Sequence, residues 1–321
     1  MGVPMTDKPE VLFLDDASTV LPILPPLHLN YTVRRLAEGA GAEAIDADAR
    51  GRIRALVTTT NRGIEAAVIE ALPRLEIIVL TGGHLHGVAL ETLQARGIRL
   101  TNTPGITAED VADTLMGLAL SAAKRLVEGD RFVRAGRWTR EEFGFGVKIT
   151  GKRMGILGLG RVGSLVARRA LGFDMEVHYA EPVAKPGLQW RHHTTALDLA
   201  RAVQILAVTC PSGPATRRIV DRAVIEALGP RGVLVSVVKG AVDEAALIVA
   251  LEHGRLAAAG LDVFEGEPAI NPRLARLDNL VMTPHAAWKS VEAQQTITEL
   301  ALANLAAHFA GLPLLTPVEA H

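Results

Sequence analysis

The stretch MGILGLGRVGSLVARR, residues 154–169, decides the fold class of this chain. Gly158, Gly160 and Gly163 have the spacing G-x-G-x-x-G, directly after an aliphatic run and at the start of a helical pattern. In that context the first glycine permits a tight turn, the second lets the backbone approach a pyrophosphate, and the third lets helix and strand pack closely. The N-terminus of the helix supplies N–H groups and partial positive charge for the phosphates. The stretch therefore predicts the phosphate-binding turn of a Rossmann-type domain.

An acidic residue follows this turn at the distance typical of dinucleotide sites. Glu181 stands at the end of the next predicted strand, 18 residues after Gly163, close to the spacing of about 20 residues in dinucleotide sites. A carboxylate there accepts hydrogen bonds from the adenosine ribose hydroxyls and repels a 2′-phosphate, so Glu181 favours NAD over NADP. The alternative is that Lys185 or Arg191 folds back to hold a 2′-phosphate. The residue after Glu181 is Pro182 rather than an arginine, which favours NAD.

Short aliphatic runs alternate with amphipathic stretches along the chain, which predicts an α/β fold of parallel βαβ units. We predict strands at 11–15, 55–60, 77–81, 98–102, 154–159, 176–180, 205–210, 233–238, 258–263 and 280–283. We predict helices at 64–74, 88–96, 106–126, 161–171, 244–252 and 290–311. Thr107 is expected to cap the long helix, with Asp110 completing a capping-box-like arrangement.

The composition is that of an ordinary globular protein without an excess of either charge. The chain has 321 residues, enough for two domains, and 34 Lys and Arg against 35 Asp and Glu give a net charge of −1. This balance argues against a nucleic-acid binder, and no apolar run approaches the roughly 18 residues that span a bilayer. The single cysteine, Cys210, suits a reducing compartment. Since the N-terminus resembles no secretory signal, we expect a soluble cytoplasmic enzyme with neither nucleic-acid nor membrane partners.

Three ionisable residues stand at or just after the carboxyl ends of predicted strands downstream of the phosphate-binding turn. They are Lys239, Glu267 and His285. An open α/β sheet builds its site at that edge, so we expect these side chains to lie close together. A histidine beside a carboxylate can act as an acid or base near neutral pH, and a nearby cation can hold an anionic substrate. Asp243 and Glu244 are expected to cap the following helix instead.

Several motifs, in order along the chain, resemble the D-2-hydroxyacid dehydrogenase family, most closely its glyoxylate/hydroxypyruvate reductase branch. The motifs are GLGRVG (158–163), KGAVDEAAL (239–247), AAGLDVFEGEP (258–268), TPHAAW (283–288) and ANLAAHFAGLPLLTPV (303–318). The resemblance implies two parallel-sheet domains, one Rossmann-like and one flavodoxin-like. An NAD-binding domain, residues 104–286, would be inserted into a substrate-binding domain made of residues 1–103 and 287–321. The active site would lie in the cleft, and members of the family are usually homodimers.

The resemblance also implies roles for individual residues of the site. His285 matches the proton donor to the substrate carbonyl, and Glu267, rather than Glu265, matches the carboxylate paired with that histidine. Asp262 matches the acid that orients the nicotinamide carboxamide. Lys239 stands where the family normally has arginine. The positive charge is therefore kept, but the planar guanidinium that can donate two parallel hydrogen bonds to a carboxylate is lost.

Further matches concern the cofactor and the substrate. The residues expected beside the cofactor, in addition to the three glycines and Glu181, are Arg161, Val162, Thr209, Cys210, Pro211, Val237, Val238 and Ala287. The segment Gly82, Gly83 and His84 matches a loop whose backbone N–H groups hold the substrate carboxylate. Trp138 falls in an arm that reaches the partner subunit's active site in this branch.

The resemblance therefore implies an NAD-dependent oxidoreductase that reduces a small 2-oxo acid such as glyoxylate or hydroxypyruvate. Because of Lys239, two alternatives stay open: a catalytically weak NAD-sensing protein, and a dehydrogenase for another small anion such as formate or phosphite. We expect no metal site, because His84 and His86 form only a two-ligand pattern. His192 and His193 are expected in an exposed polar loop.

Overall fold

The computed structural model describes residues 8–15, 23–60, 62–83, 85 and 87–318. The strands are β1 (Glu10–Leu14), β2 (Thr32–Leu36), β3 (Ile53–Thr59), β4 (Ile77–Thr81), β5 (Arg99–Thr101), β6 (Arg153–Leu157), β7 (Glu176–Ala180), β8 (Arg191–His193), β9 (Ile205–Val208), β10 (Val233–Ser236), β11 (Ala258–Leu261) and β12 (Leu280–Met282). The helices are α1 (Leu24–Asn30), α2 (Ala47–Arg50), α3 (Ala66–Glu70), α4 (Leu90–Ala95), α5 (Ala108–Lys124), α6 (Leu126–Arg134), α7 (Arg161–Leu171), α8 (Ala196–Ala202), α9 (Arg222–Leu228), α10 (Glu244–Glu252) and α11 (Val291–Phe309). Backbone contacts divide the chain into two units, a central unit Thr107–Lys289 and a terminal unit formed by Met1–Ile106 with Ser290–His321.

The terminal unit is built on a five-stranded sheet with the order β2-β1-β3-β4-β5. Its paired strands are parallel. Alternate residues of one strand belong to different cores: Ile78 packs in one cluster, whereas Val79 packs with Ala301 and Leu305 of α11 in another. Because both faces are covered, the inner strands β1, β3 and β4 are largely aliphatic runs rather than alternating ones.

The central unit is built on a seven-stranded parallel sheet with the order β12-β11-β10-β9-β6-β7-β8. The strand order reverses between β6 and β9, and open α/β sheets bind ligands at such a switch point. Helix α5 packs closely on the sheet at Gly260, where a Cβ atom would lie 2.9 Å from Cβ of Leu118. The expected α/β class with two parallel sheets is thereby confirmed.

Some of the expected elements differ from the structure. The helix predicted at 106–126 ends at Lys124, because Arg125 adopts the left-handed conformation with φ of 56° and starts a second helix, α6. Thr107 is the N-cap residue of α5, but its side chain makes no capping hydrogen bond. The prediction of an exposed loop at His192 and His193 is wrong, since both residues belong to strand β8 and are half-buried.

Strand β2 was not predicted, because its sequence TVRRL carries two arginines and lacks an aliphatic run. It lies at the edge of the sheet, and only Leu36 at its end is buried. Its two arginines form ion pairs with acidic residues. None of the helices in the described part of the chain is both long and apolar enough to cross a membrane.

Candidate active site

The glycine-rich turn between β6 and α7 combines two glycines that packing requires with one that faces open space. A Cβ atom on Gly158 would lie 2.4 Å from Cα of Cys210, and one on Gly163 would lie 2.3 Å from the carbonyl oxygen of Gly158. A Cβ atom on Gly160 would meet nothing within 4 Å. The turn therefore leaves room at Gly160, at the start of α7, where a dinucleotide pyrophosphate fits.

Thr209 and Cys210, which directly follow the neighbouring strand β9, support this turn. The Thr209 hydroxyl donates to the carbonyl oxygen of Gly158 at 2.7 Å. Cys210 is buried, and burial raises the pKa of its thiol to about 11. A thiol that stays protonated at neutral pH is a poor nucleophile, so Cys210 acts as a packing residue.

Glu181 and Lys185 both contact Leu159, the residue between the first two glycines. Oε1 of Glu181 accepts from the Leu159 N–H at 2.6 Å. The Lys185 ammonium donates to the Leu159 carbonyl oxygen, and the Lys185 N–H donates to the Tyr179 hydroxyl at 2.9 Å. The Glu181 carboxylate therefore lies beside the glycine-rich turn, and Lys185 folds back toward the same turn.

Strand β8 holds Glu181 in place, a contact that no local sequence pattern indicates. Nε2 of His192 is hydrogen-bonded to the carbonyl oxygen of Glu181 at 2.8 Å, and the Glu181 N–H donates to the His193 carbonyl oxygen at 3.3 Å. His193 in turn meets the buried His178, with 3.0 Å between Nε2 of His193 and Nδ1 of His178. Burial, aided by the charge of His178, lowers the pKa of His193.

The structure brings together the three ionisable residues expected at the sheet edge. Nδ1 of His285 lies 3.0 Å from Oε1 of Glu267, and Nζ of Lys239 lies 3.0 Å from the same oxygen. The other carboxylate oxygen accepts from the Phe264 N–H at 3.2 Å. The Glu267 side chain is only 15% exposed, compared with 42% for His285 and 55% for Lys239. A mostly buried carboxylate thus holds two more exposed groups that can face a substrate.

The surroundings of Glu267 keep it ionised. Burial by itself raises the pKa of Glu267, but the hydrogen bonds from Lys239 and the Phe264 N–H and the charges of His285 and Lys239 hold it below its usual value. At neutral pH the carboxylate is therefore negative, and it accepts contacts from both His285 and Lys239. The arrangement provides a general acid beside a cation.

Asp262 organises the loop that presents His285. Its Oδ1 accepts from the Thr283 hydroxyl at 2.6 Å and its Oδ2 from the Ala287 N–H at 3.0 Å, while its carbonyl oxygen accepts from the His285 N–H at 2.8 Å. His285 has a φ of 50°, a conformation that costs free energy for a residue other than glycine and persists only where neighbouring contacts impose it. The resemblance implied only a nicotinamide contact for Asp262, and this positioning of the loop was missed.

The remaining predicted residues of the central unit lie at the ends of the same strands. Arg161 is exposed and Val162 half-buried at the start of α7; Pro211 is exposed next to Cys210; Val237 and Val238 follow β10; and Ala287 is buried. The carbonyl oxygen of Ala287 accepts from the Thr114 hydroxyl at 3.2 Å. Their contacts with a cofactor stay predictions.

The predicted substrate residues Gly82, Gly83 and Trp138 have different surroundings. Gly82 has a φ of 134°, and its N–H already donates to the Thr103 hydroxyl at 2.7 Å. Gly83 is exposed at the end of β4, and Trp138 is 71% exposed in the short turn that follows α6. His84 and His86 lie outside the described residues.

Comparisons with known proteins give the family of the chain. The family model for the NAD binding domain of D-isomer specific 2-hydroxyacid dehydrogenases matches residues 116–287. A hydroxyphenylpyruvate reductase of Plectranthus scutellarioides is 44% identical over 267 residues, which is 83% of this chain and 85% of that protein. A glyoxylate/hydroxypyruvate reductase A of Arabidopsis thaliana is 44% identical over 270 residues, which is 84% of this chain and 86% of that protein.

A solved structure has the same fold. It is an NADPH-dependent glyoxylate/hydroxypyruvate reductase of Sinorhizobium meliloti in complex with NADP and malonate, with a TM-score of 0.85 and 35% identity over 97% of each chain. The matches cover both units and include the dinucleotide-binding turn. The chain therefore belongs to the D-isomer specific 2-hydroxyacid dehydrogenase family, and it is an NAD(P)-dependent oxidoreductase of 2-hydroxy acids.

Proposed function

We propose that this protein reduces a small 2-oxo acid to the D-2-hydroxy acid, with glyoxylate and hydroxypyruvate as the leading substrates. The observation that carries the proposal is the Glu267 oxygen, Oε1, that lies 3.0 Å from both the His285 imidazole and the Lys239 ammonium. This arrangement combines the two groups that the reaction needs, a proton donor and a cation for the substrate carboxylate. The names of the relatives support the same substrate class.

His285 is the proton donor in this mechanism. Bound reduced dinucleotide supplies the hydride that adds to C2 of the substrate. The proton on Nε2 of His285 passes to the carbonyl oxygen, which becomes the hydroxyl group, while Nδ1 stays on Glu267. The negative charge of Glu267 stabilises the imidazolium before transfer, and in the oxidative direction the neutral imidazole takes the proton back. A general acid of this kind is worth about 10²- to 10⁴-fold in rate.

Lys239 binds the substrate carboxylate and helps to keep Glu267 ionised. An ammonium is a compact point charge, whereas the arginine usual in the family would offer two parallel hydrogen bonds. We therefore expect Lys239 to impose less orientation on the substrate.

NAD is the proposed cofactor, with Glu181 as the residue that prefers it. The carboxylate of Glu181 beside the glycine-rich turn suits ribose hydroxyls and disfavours a 2′-phosphate. NADP is the alternative, because the Lys185 ammonium contacts the same turn. The related reductase of Sinorhizobium meliloti binds NADP.

We also infer a homodimer and a cytoplasmic location. Helix α6 and the segment after it expose several large apolar side chains: Leu126, Val133, Trp138 and Phe145. Exposed apolar patches of this kind mark interaction surfaces, and a second copy of the chain is the proposed partner. Trp138 would then reach the partner's active site. The cytoplasmic location suits the single cysteine.

A panel of 2-oxo acids assayed with NADH and with NADPH tests the proposal. We expect reduction of glyoxylate and hydroxypyruvate, with a larger kcat/KM for NADH than for NADPH. Binding of NADH without turnover of any acid would contradict the proposal and favour an NAD-sensing protein. Turnover of formate or phosphite alone would favour a dehydrogenase for another small anion.

A further inference from the structure

Glu244 is a buried carboxyl group behind the loop that carries Glu267. It is only 7% exposed, and its Oε1 accepts from the Glu265 N–H at 2.5 Å. Burial raises the pKa of Glu244, and the charges of Glu265 and Glu267 act in the same direction, whereas the hydrogen bond from Glu265 and the charge of Arg218 oppose the rise. The groups that face this carboxyl group therefore belong to the Glu267 loop and to the loop of Arg218. Since a buried carboxyl group costs free energy unless it is hydrogen-bonded, its contact with Glu265 holds it in this place.

The site depends on two loops that are far apart in sequence. Lys239 lies between β10 and α10, and Glu267 lies beyond β11, yet their side chains are 3.0 Å apart. Glu244 is the first residue of α10, the helix that directly follows the Lys239 loop. Its hydrogen bond to Glu265 is a direct connection from that helix to the loop of Glu267.

A third loop, which contains Arg218, also contacts the loops of Lys239 and Glu267, but these contacts are weaker. The Arg218 N–H donates to the carbonyl oxygen of Gly240 at 2.8 Å, and the Arg218 side chain pairs with Glu265 at 3.3 Å. The side chains of this ion pair are 47% and 39% exposed, and an exposed pair contributes little. The hydrogen bond from the Glu265 N–H to the mostly buried Glu244 carboxyl group is therefore the stronger of these two contacts with Glu265.

We propose that Glu244 is a positioning residue for the reaction, because its hydrogen bond to the Glu265 N–H holds the Glu267 carboxylate against Lys239 and His285. The inference rests on the proposed function and adds a residue that does not touch the substrate. Catalysis by a general acid is sensitive to position, and a displacement of about 1 Å can cost on the order of 10²-fold in rate. Loss of the hydrogen bond should therefore lower kcat while dinucleotide binding is retained.

Three variants separate positioning from a general effect on the helix. Glu244→Ala removes the acceptor of the Glu265 hydrogen bond, whereas Glu244→Gln keeps an acceptor oxygen without charge. Asp243→Ala is the control: it removes the N-cap side chain of the same helix, which accepts from the Ala246 N–H at 3.0 Å. We expect kcat to fall by about 10- to 100-fold in Glu244→Ala, with the Kd for NADH unchanged. Glu244→Gln should stay within about threefold of the wild-type kcat, and so should Asp243→Ala.

The inference is overturned by an unchanged kcat in Glu244→Ala, or by an equal loss in Asp243→Ala. If Glu244→Ala does not fold, Glu244→Asp decides, because it keeps the carboxyl group but withdraws it by one methylene. A loss of kcat at an unchanged melting temperature supports positioning, and an unchanged kcat overturns it.

A spectroscopic measurement tests the inference without turnover. The low-field proton resonance of the His285 Nδ1–H group reports its hydrogen bond to Glu267, and we expect Glu244→Ala to shift or lose it. The resonance should be retained in Glu244→Gln and in Asp243→Ala, and its retention in Glu244→Ala would contradict the inference. Failure of the proposed function would show separately, as a wild-type protein that reduces no 2-oxo acid.

Discussion

Nζ of Lys239 and Nδ1 of His285 lie at the same distance, 3.0 Å, from one oxygen atom, Oε1 of Glu267. One carboxylate therefore contacts two side chains to which the proposed mechanism gives different tasks. The hydrogen bonds of the His285 ring within the described residues engage only Nδ1. Nε2 is thus the ring atom assigned to the substrate, and each group can be tested by its own substitution.

His285→Asn should remove the general acid while leaving dinucleotide binding intact. Asparagine accepts the left-handed backbone, with φ of 50°, better than alanine does. We expect kcat to fall by about 10²- to 10⁴-fold, with the Kd for NADH within a factor of about two of wild type. The control is His253→Asn, because His253 is exposed and its Nδ1 is hydrogen-bonded to the Val249 carbonyl oxygen of its own helix. Equal kcat values in the two variants would remove His285 from the mechanism.

Lys239→Met should weaken substrate binding and change the acid side of the pH profile. Without the ammonium, the pKa of Glu267 rises from its present value below 4.5, because burial then acts with less opposition. Glu267 is ionised above its pKa, so activity lost on acidification should be lost at a higher pH than in the wild type. We also expect KM for glyoxylate to rise by about tenfold or more, which corresponds to about 1.4 kcal/mol.

Lys148→Met provides the control for this variant, since Lys148 is an exposed lysine elsewhere in the central unit. An acid limb that stays at the wild-type pH in Lys239→Met would contradict the charge coupling between Lys239 and Glu267.

Gly160→Ala and Gly163→Ala should separate cofactor contact from packing. A Cβ atom at Gly163 would lie 2.3 Å from a backbone oxygen, so the variant should lose about 1–3 kcal/mol of stability. Gly160 has open space around it and a φ of −76°, so alanine fits the folded protein there. We expect an unchanged melting temperature for Gly160→Ala, with a Kd for NADH that is at least about tenfold higher. Unchanged NADH binding would show that the pyrophosphate does not approach this residue.

Glu181→Gln and Lys185→Met should change cofactor preference in opposite directions. Loss of the Glu181 charge removes repulsion of a 2′-phosphate, so the ratio of kcat/KM for NADH to that for NADPH should fall by about tenfold. Loss of the Lys185 ammonium, which contacts the Leu159 carbonyl oxygen, should raise the ratio. Steady-state kinetics with both cofactors decide the matter, and a change in the same direction in both variants would contradict the assigned roles.

Glu76→Gln should destabilise the protein at neutral pH but not at acid pH. The hydrogen bond from Arg54 holds the pKa of Glu76 below 4.5 against the effect of burial, with help from His308. A carboxylate with a lowered pKa adds stability above about pH 4.5, and this stability is lost as the pH falls through the folded-state value. The side chains of Glu76 and Arg54 are each 37% exposed, so after solvent screening we expect a loss of about 1 kcal/mol at pH 7.

Urea unfolding at pH 7 and pH 3.5 measures this difference, with the exposed Glu70→Gln as the control. A loss of stability in Glu76→Gln that is as large at pH 3.5 as at pH 7 would contradict the assignment.

The sequence predicted an element correctly where the element's own residues mark its start and its end. The bounds of α7 and α10 match the prediction residue for residue, because glycines and acidic caps mark their starts. The grouping of Lys239, Glu267 and His285 followed from the rule that parallel strands end at one edge, and the structure places them together.

The features that were missed depend on contacts between distant parts of the chain. Strand β8 has only three polar residues, and it exists because Tyr179 and its neighbours in β7 pair with it. Arg125 carries no local signal for a left-handed backbone, so the break after α5 could not be seen in the sequence. Glu244 looks like an ordinary first-turn acid, and only the fold shows that its carboxyl group meets Glu265.

The order in which the chain is synthesised exposes the five-stranded sheet for a time. Val79 in β4 packs with Ala301 and Leu305, which emerge from the ribosome more than 200 residues later. At about 5–20 residues per second, the part of this face that α11 covers stays open for roughly 10–40 s while the central unit is made. A chain cut before α11 would keep that part of the apolar face open, so truncated forms should aggregate even though Lys239, Glu267 and His285 are all present.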